Sequence, residues 1–441
     1  MFTESDTLTG LCVGTTKIAV IVAEREYSSR RETVRISGIG SAPSEGIRKG
    51  AIVNLDAAVR SVRKAVREAE NIVGYKLTEA MVSFNAVDVS SVMSSGMVSL
   101  GRGPRPIQVE DVERVIEAAQ SELSIPTNKV VALHTIPVRY SIDSSGDIDD
   151  PMGMTGMRLA MNLQTVTVPK PDVHNVVNCV RGAGIERVSL VIKPITSALG
   201  ALTEEEMRRG AISLSLGGGT TGLAFYKDGR PIKVGIVPIG GDHITNDLAS
   251  VLRLPLSEAE ELKKRIFASE DEDDNFSFLG AKGQPKKTID PDVAVDIISA
   301  RFEELFVEHV GVMIPDRDPK QFPAGIVLSG GVAKTKGIDV LLSDIFKMPV
   351  RVADPEDYYQ MPLGREGADY ISAIGTIRYI LNKERYPFRF IDEPMIDTLH
   401  GGSLPDKTGP AVRNDKQKPS AAWKHVKKFA EKLKESFREL F

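Results

Sequence analysis

The stretch that decides the fold is Ile-Ser-Leu-Ser-Leu-Gly-Gly-Gly-Thr-Thr-Gly-Leu-Ala-Phe, residues 212–225. Two apolar runs separated by three glycines and two threonines predict a β-hairpin with a glycine-rich turn. Because glycine has no side chain, the backbone N–H groups of such a turn can approach a ligand closely, as they do in a phosphate cradle. Alone the motif is weak, since a glycine-rich turn between strands is most often only a turn.

A second hairpin of the same kind occupies residues 10–20, Gly-Leu-Cys-Val-Gly-Thr-Thr-Lys-Ile-Ala-Val. A third glycine signal, Ser-Gly-Gly-Val at 329–332, follows another apolar run. Two phosphate-sized turns far apart in the chain predict two related halves that close on one nucleotide. Neither a Walker A sequence nor a Rossmann Gly-x-Gly-x-x-Gly is present, so motifs do not support the P-loop and dinucleotide classes.

Length and composition narrow the class of protein further. A chain of 441 residues exceeds what one hydrophobic core usually serves, so two or three domains are expected. The net charge of −4 argues against general affinity for nucleic acid. Cys12 and Cys179 are far apart and outside any CxxC motif, which indicates reduced thiols of a cytoplasmic protein and no metal site.

Alternating strand and helix patterns predict an α/β body. Helical periodicity predicts helices over about 55–69 and 293–310, and a final body helix over 370–381. Between residues 85 and 168, β-branched runs around one helix predict a small inserted α+β subdomain. The acidic run at 270–274 is interpreted as a solvated loop, because it lacks the ligand spacing of a calcium loop.

The C-terminal part predicts a membrane attachment. Residues 393–420 have the glycine, proline and charge content of a flexible tether. Residues 421–441 predict an amphipathic helix with a basic polar face, which favours insertion in the plane of an anionic lipid surface over docking onto the body. Its apolar stripe consists of Trp423, Val426, Phe429, Leu433, Phe437, Leu440 and Phe441. No apolar run is long enough to span a bilayer, and no signal peptide is evident.

These motifs resemble those of the FtsA family of bacterial cell-division proteins, in the superfamily of actin, sugar kinases and heat-shock chaperones. The resemblance runs from about Gly10 to Tyr379 and extends to the tether and its amphipathic end. The segments that carry it are 14–18, 43–50, 151–159, 216–221, 259–263 and 327–331. The segments Pro-Ser-Glu-Gly-Ile-Arg-Lys-Gly (43–50) and Pro-Met-Gly-Met-Thr-Gly-Met-Arg-Leu (151–159) separate this family from other actin-like proteins.

The resemblance implies an α/β, actin-like (ribonuclease-H-like) duplicated fold of two lobes. An inserted α+β subdomain, a helical subdomain and a C-terminal amphipathic helix complete it. The implied division is 1–84 first part of subdomain 1A, 85–168 inserted subdomain 1C, 169–243 subdomain 2A, 244–312 subdomain 2B, 313–392 rest of 2A and return to 1A, 393–420 linker, and 421–441 membrane-targeting helix.

The resemblance also implies a function: an actin-like filament that anchors FtsZ to the cytoplasmic face of the cell membrane at the division septum. ATP, or ADP, is expected in the cleft. The implied partners are the C-terminal peptide of FtsZ, further copies of the chain, anionic lipid and other division proteins. Arg301 matches an arginine of the FtsZ-binding subdomain, although an exposed arginine is by default a solvated charge.

By position, the resemblance assigns nucleotide contacts to glycines, threonines and charged residues around the cleft. They are Gly14, Thr15, Thr16, Lys17, Lys193, Gly217, Gly218, Gly219, Thr220, Thr221, Gly240, Gly241, Glu260, Lys263, Gly330, Gly331 and Val332.

Three positions depart from the superfamily, where carboxylates hold Mg²⁺ through its waters. Cys12 and Ser215 occupy the two usual acidic positions, and Lys193 replaces a glutamate found in many relatives. Phosphoryl transfer needs a metal and an oriented water, so we expect ATP binding with little or no hydrolysis and leave Mg²⁺ open. A lysine can hold the phosphates as a point charge. The alternative, that these three positions lie outside the cleft, stays open here.

Two other functions compete with this interpretation. A small-molecule kinase of the same superfamily explains the cleft, but it lacks an evident catalytic base and has no use for the tail. An actin-like pilus-assembly or secretion adaptor also binds ATP and a partner peptide. The segment 151–159 and the terminal helix favour division over the adaptor.

Overall fold

The computed structural model describes residues 7–385, apart from 29–30, 124, 127, 269–275, 279–286, 315–319, 355–366 and 369. The predicted tether at 393–420, the predicted amphipathic helix at 421–441 and the acidic run at 270–274 therefore lie outside the described residues. None of the helices among the residues that are described is long and apolar enough to cross a membrane.

The described elements alternate between strands and helices. The strands are β1 (Thr7–Val13), β2 (Lys17–Ser28), β3 (Arg31–Pro43), β4 (Ile47–Arg48), β5 (Ala51–Ile52), β6 (Glu79–Phe84), β7 (Ser90–Ser99), β8 (Arg105–Pro106), β9 (Val130–Ile142), β10 (Ser145–Ile148), β11 (Thr155–Gly156), β12 (Arg158–Pro169), β13 (Arg187–Ile192), β14 (Ala211–Leu216), β15 (Thr221–Lys227), β16 (Arg230–Val237), β17 (Phe276–Phe278), β18 (Lys287–Ile289), β19 (Ile326–Ser329) and β20 (Val350–Val352). The helices are α1 (Leu55–Val73), α2 (Val109–Ser121), α3 (Lys170–Ala183), α4 (Lys193–Ala201), α5 (Glu204–Arg209), α6 (Gly241–Leu252), α7 (Leu256–Ala268), α8 (Pro291–Glu303), α9 (Gly311–Met313), α10 (Ile338–Phe346) and α11 (Ile371–Arg385).

Two five-stranded sheets repeat one topology. The first has the order β13–β6–β1–β2–β3, and the second has the order β16–β15–β14–β19–β20. In each, three consecutive strands form an antiparallel meander. One later strand pairs in parallel with the first strand of the meander, and a second later strand pairs in parallel with that one. The two predicted glycine hairpins are the first turns of these meanders. The duplication inferred from the sequence is therefore visible in the strand order.

Local sequence explains where the elements begin and end. Asn54 caps α1 by accepting a hydrogen bond from the backbone N–H of Ala57 at 3.0 Å. The helix runs past its predicted end at residue 69 and stops at Gly74, whose φ of 84° is left-handed. Every residue of β14 is buried, as expected for a strand covered on both faces.

Helices α4 and α11 cross at two glycines. A Cβ on Gly375 would lie 1.7 Å from the carbonyl oxygen of Thr196, and one on Gly200 would lie 2.1 Å from that of Ile371. Only glycine allows this approach. Ser197 and Ser372 add a buried hydroxyl contact of 2.7 Å between the same helices.

The region from 85 to 168 contains a separate antiparallel sheet of order β10–β9–β12–β7, covered by α2. The predicted α+β character is visible here, although the long strand β12 and the short pair β8–β11 were not anticipated. Apolar residues of β9 and β12 also join the core of the first lobe. The inserted sheet is thereby packed directly against that lobe.

The region from 244 to 310 is mostly helical, as predicted. The expected single helix over 293–310 is instead α8 followed by a π-helical segment, Glu304–Val310. The described strands β17 and β18 form a small antiparallel pair that the sequence did not suggest. Phe302 contacts both Phe267 and Phe306, which joins α7 to this continuous helical rod.

Candidate functional site

The two glycine turns touch each other. A Cβ on Gly218 would lie 2.3 Å from Cγ2 of Thr16, and a Cβ on Gly219 would lie 2.7 Å from Oγ1 of Thr15. Side chains of the first turn therefore rest against bare backbone of the second. This contact requires glycine at both positions of the second turn.

A cavity of about 530 Å³ opens beside this contact, and we call it the cleft. Its volume lies within the range of about 300–1,000 Å³ that is common for small-molecule sites. The predicted contact residues on its wall are Gly14, Thr15, Thr16, Lys17, Lys193, Gly217, Gly218, Thr220, Gly241, Glu260, Lys263, Gly330, Gly331 and Val332.

Three predicted contact residues, Gly219, Thr221 and Gly240, do not line the cleft. Gly219 packs against Thr15. Thr221 is fully buried in β15 and its hydroxyl donates to the carbonyl of Ile239 at 2.8 Å. A Cβ on Gly240 would lie 2.4 Å from the carbonyl oxygen of Gly217. These residues lie behind the wall, and their predicted nucleotide contact stays a prediction.

The three departures from the superfamily pattern do lie on the wall. Cys12 and Ser215 line the cleft together with Lys193, so the alternative that these positions lie elsewhere is wrong. The Lys193 ammonium sits 3.5 Å from where a Cβ on Gly14 would be, beside the first turn. Among the described residues no group of three or more His, Cys, Asp or Glu side chains is arranged to hold a metal.

Sequence reasoning missed several wall residues. They are Ala19, Asn85, Asp242, Lys264, Phe267, Ala268, Lys334 and Ser372. Asp242 had a usable signal, because it directly follows the predicted glycines at the start of α6. Asn85 also had one, because it is the first residue after β6, a parallel neighbour of β1, and ligands bind outside the carboxyl ends of such strands.

Asp242 places a carboxylate on the cleft wall beside the second glycine turn. Its backbone N–H donates to the carbonyl of Gly218 at 2.8 Å, and a Cβ on Gly218 would lie 2.8 Å from its Oδ1. Burial raises the pKa of Asp242, and the nearby Lys263 opposes that shift. One carboxylate therefore remains beside the second turn.

Lys263 and Glu260 of α7 form an ion pair beside the start of α6, with Lys263 buried and Glu260 half-buried. The Lys263 ammonium donates to Glu260 Oε2 at 2.5 Å, to Thr245 Oγ1 at 2.8 Å and to the carbonyl of Gly241 at 3.2 Å. Burial of Glu260 works against its ionisation, but the hydrogen bonds from Lys263 and Thr245 outweigh it, and the pKa of Glu260 is lowered. The pair fixes α7 against the helix that begins at the cleft.

The charges on the wall are unbalanced. Within the described part of the chain, five lysines (17, 193, 263, 264 and 334) line the cleft against the carboxylates Asp242 and Glu260. The Lys17 ammonium lies 3.5 Å from the centre of the Tyr370 ring, which keeps it at the wall. This excess of positive charge is suited to a polyanion.

Arg301 lies away from the cleft and is engaged within the protein. Its guanidinium donates to both oxygens of Asp247, at 2.6 Å and 2.9 Å, and also pairs with Glu304. The hydrogen bond to Asp247 raises the pKa of Arg301 despite its partial burial. Arg301 thus ties α8 to α6, and its predicted partner contact stays a prediction.

Two duplicated sheets with a ligand-sized cleft between their first turns define an actin-like protein. Two solved structures have the same architecture. The PilM–PilN type IV pilus biogenesis complex matches with a TM-score of 0.56 and 18% identity, over 84% of this chain and 98% of the other. MreB 5 of Spiroplasma citri bound to AMPPNP matches with a TM-score of 0.51 and 15% identity, over 87% of this chain and 98% of the other. They confirm the predicted actin-like α/β fold.

Sequence comparison identifies the family. The family model described as "Cell division protein FtsA" matches residues 212–375, and "SHS2 domain inserted in FTSA" matches 87–167. The cell division protein FtsA of Bacillus subtilis is 34% identical over 86% of this chain and 85% of its own length, and that of Pseudomonas aeruginosa is 32% identical over 86% and 90%. The chain belongs to the FtsA family of cell-division proteins.

Proposed function

We propose that the chain is a nucleotide-binding, actin-like scaffold that attaches FtsZ filaments to the cytoplasmic face of the cell membrane at the division septum. Membership in the FtsA family supports the division role. The single observation that carries nucleotide binding is the lysine-rich cleft beside two bare-backbone turns. The family assignment also favours this role over a pilus adaptor or a small-molecule kinase.

The cleft fits a nucleoside triphosphate. Gly14–Lys17 and Gly217–Thr220 would hold the phosphates with backbone N–H groups and hydroxyls, and Lys193 would add a positive charge beside them. Gly330, Gly331 and Val332 would flank the base and ribose. ATP, or ADP after loss of one phosphate, is the expected ligand. Mass spectrometry of nucleotide released from freshly purified, denatured protein tests this directly.

A steric variant sharpens the test. Gly218→Ala places a methyl 2.3 Å from Thr16 Cγ2 and is expected to abolish nucleotide retention. Gly103→Ala is the matched control, because a Cβ there meets nothing within 4 Å. Equal retention by both variants and the parent would contradict the assignment of the cleft.

Hydrolysis is proposed to be slow. Cys12 and Ser215 offer no carboxylate for hydrated Mg²⁺ at the two strand ends, and Lys193 places an ammonium beside the first turn. Asp242 supplies a single carboxylate, whereas phosphoryl transfer depends on a well-held metal and an oriented water. A phosphate-release assay with and without Mg²⁺ decides the point, and rapid metal-dependent turnover would overturn the proposal.

The membrane contact is proposed for residues 421–441. Their apolar stripe and basic face are those of an in-plane helix, and each lysine or arginine near anionic lipid contributes on the order of 1 kcal/mol. Full-length protein should pellet with vesicles that contain phosphatidylglycerol and should pellet less with zwitterionic ones. Removal of 421–441 should abolish pelleting, whereas retained pelleting would refute the assignment.

The proposed protein partners are the C-terminal peptide of FtsZ, further copies of the chain in a filament, and other division proteins. Arg301 is the candidate contact for the peptide on the helical region, where a carboxylate of the peptide would compete with Asp247 for the guanidinium. Arg301→Glu should abolish binding of a labelled FtsZ peptide in fluorescence anisotropy, and Asp247→Asn should strengthen it. Unchanged binding by Arg301→Glu would remove Arg301 from the interface.

A further inference from the structure

Asn85 makes a contact that crosses the cleft. It follows β6 in the first lobe, and its Nδ2 donates to the hydroxyl of Thr220, in the glycine turn of the second lobe, at 2.8 Å. The side chain is almost completely buried, with 6% of its surface exposed, and it lies on the cleft wall. A single amide therefore joins the two lobes at the place where their glycine turns meet.

The other end of this amide is unsatisfied. Asn85 Oδ1 is buried and accepts no hydrogen bond from any residue that the structure describes. A buried acceptor without a donor destabilises a protein by about 1–3 kcal/mol, so a native structure seldom keeps one unless a ligand or water fills the position. The orphan acceptor is thus a second sign, independent of the lysines, that a ligand occupies this part of the cleft.

The neighbours of Asn85 show which part of a ligand it faces. Its Cβ would lie 2.7 Å from a Cβ on Gly50, whose backbone N–H donates to Thr15 Oγ1 at 3.1 Å. Thr15 and Thr220 belong to the two turns assigned to phosphates. Asn85 therefore faces the proposed phosphate end of the site.

The chemistry at that end restricts the partner of Oδ1. Phosphate oxygens carry no proton to donate at neutral pH, so an amide oxygen cannot bond to them directly. Its donor must be a water held by the terminal phosphate or by a cation bound to it. A water held in this way depends on the terminal phosphate that holds it, and a diphosphate lacks that phosphate.

We propose that Asn85 is a positioning residue that distinguishes a nucleoside triphosphate from a diphosphate. It joins the two lobes through Thr220 while Oδ1 accepts a hydrogen bond from water on the terminal phosphate. Closure of the lobes at this point then depends on the third phosphate. The inference rests on the proposed nucleotide site and adds a readout of nucleotide state to it.

The test compares affinities for ATP and ADP in the full-length protein by isothermal titration calorimetry. Asn85→Ala should weaken ATP binding about tenfold, which corresponds to about 1.4 kcal/mol, and should change ADP binding less than twofold. Thr220→Val should also weaken ATP more than ADP, because it breaks the contact between the lobes and leaves Oδ1 in place. Asn71→Ala, an exposed asparagine on α1, is the matched control.

The ratio of the two affinities guards against a trivial loss of folding, because partial unfolding lowers binding of both nucleotides equally. An unchanged ratio in Asn85→Ala, with or without weaker binding overall, would overturn the inference and leave nucleotide binding intact. Failure of the parent protein to bind either nucleotide would instead overturn the proposed function, and the inference with it.

Discussion

Acid should destabilise this protein through one buried histidine. His134 lies on β9 of the inserted sheet with 3% of its surface exposed. Its Nε2 accepts the backbone N–H of Ile192 at 3.0 Å, and its Nδ1 lies 3.3 Å from the hydroxyl of Tyr379 on α11. Burial, with a smaller contribution from the positive charge of Lys383, lowers the pKa of His134 to about 3.

The magnitude follows from the two pKa values. The unfolded chain takes up a proton on this histidine below pH 6.5, whereas the folded protein does so only near pH 3. Between these limits each unit of pH lost lowers the free energy of unfolding by about 1.4 kcal/mol. From pH 7 to pH 5 the loss is therefore about 2 kcal/mol, and above pH 7 the histidine adds no pH dependence.

Urea unfolding followed by far-ultraviolet circular dichroism measures this effect, because the signal reports on the helices and strands of the described residues. His134→Gln should be less stable than the parent at pH 7, by about 1–3 kcal/mol for imperfect hydrogen bonds. Between pH 7 and pH 5 the parent should lose about 2 kcal/mol more than the variant, because other titrating groups are common to both. Parallel losses in the two proteins would refute a neutral buried His134.

Three further substitutions test the fold and the cleft. Gly375→Val should lower the thermal unfolding midpoint strongly, because its Cβ would lie 1.7 Å from the Thr196 carbonyl oxygen. Gly103→Ala should leave the midpoint unchanged, because a Cβ there meets nothing within 4 Å. Equal midpoints in these two variants would contradict the close crossing of α4 and α11. Lys193→Glu, which restores a carboxylate beside the first turn, should raise Mg²⁺-dependent phosphate release, and a rate that stays the same would show that the lysine does not limit hydrolysis. Arg230→Leu removes a buried guanidinium that donates to carbonyl groups of the inserted region, and it should destabilise that contact by about 2 kcal/mol. Amide hydrogen exchange in β9 should then accelerate. Unchanged exchange would show that Arg230 does not hold the inserted region in place.

The sequence predicted those features of the fold that depend on residues close together in the chain. The two glycine turns, most of α1 and the final body helix α11 could be predicted, because glycine turns and helical periodicity depend on neighbouring residues. The crossing of α4 and α11 could not be predicted from the sequence. Gly200 and Gly375 are far apart in the chain, and each resembles an ordinary helical glycine. The small strands β17 and β18 could not be predicted either, because pairing with each other stabilises them more than their own residues do.

In the cleft, the difference between prediction and structure has one physical origin. Motif reasoning finds backbone turns, because a turn needs glycine at fixed positions, and it therefore found both glycine turns. It does not find a side chain that reaches the cleft from a strand end, such as Asn85, unless the place of that strand in the sheet is known first. Asp242 lies between these cases, and it leaves the cleft less depleted in carboxylates than Cys12 and Ser215 suggest.

The structure also shows how the inserted sheet and the cleft are joined. His134 of the inserted sheet holds the backbone N–H of Ile192, and the next residue, Lys193, extends its ammonium to the first glycine turn. The same imidazole contacts Tyr379 on α11, the helix that crosses α4 at Gly375. His134 therefore contacts both the strand end that precedes Lys193 and the helix that packs against α4. Because the imidazole is neutral and buried, this connection needs no charge balance and persists across the pH range in which cells grow.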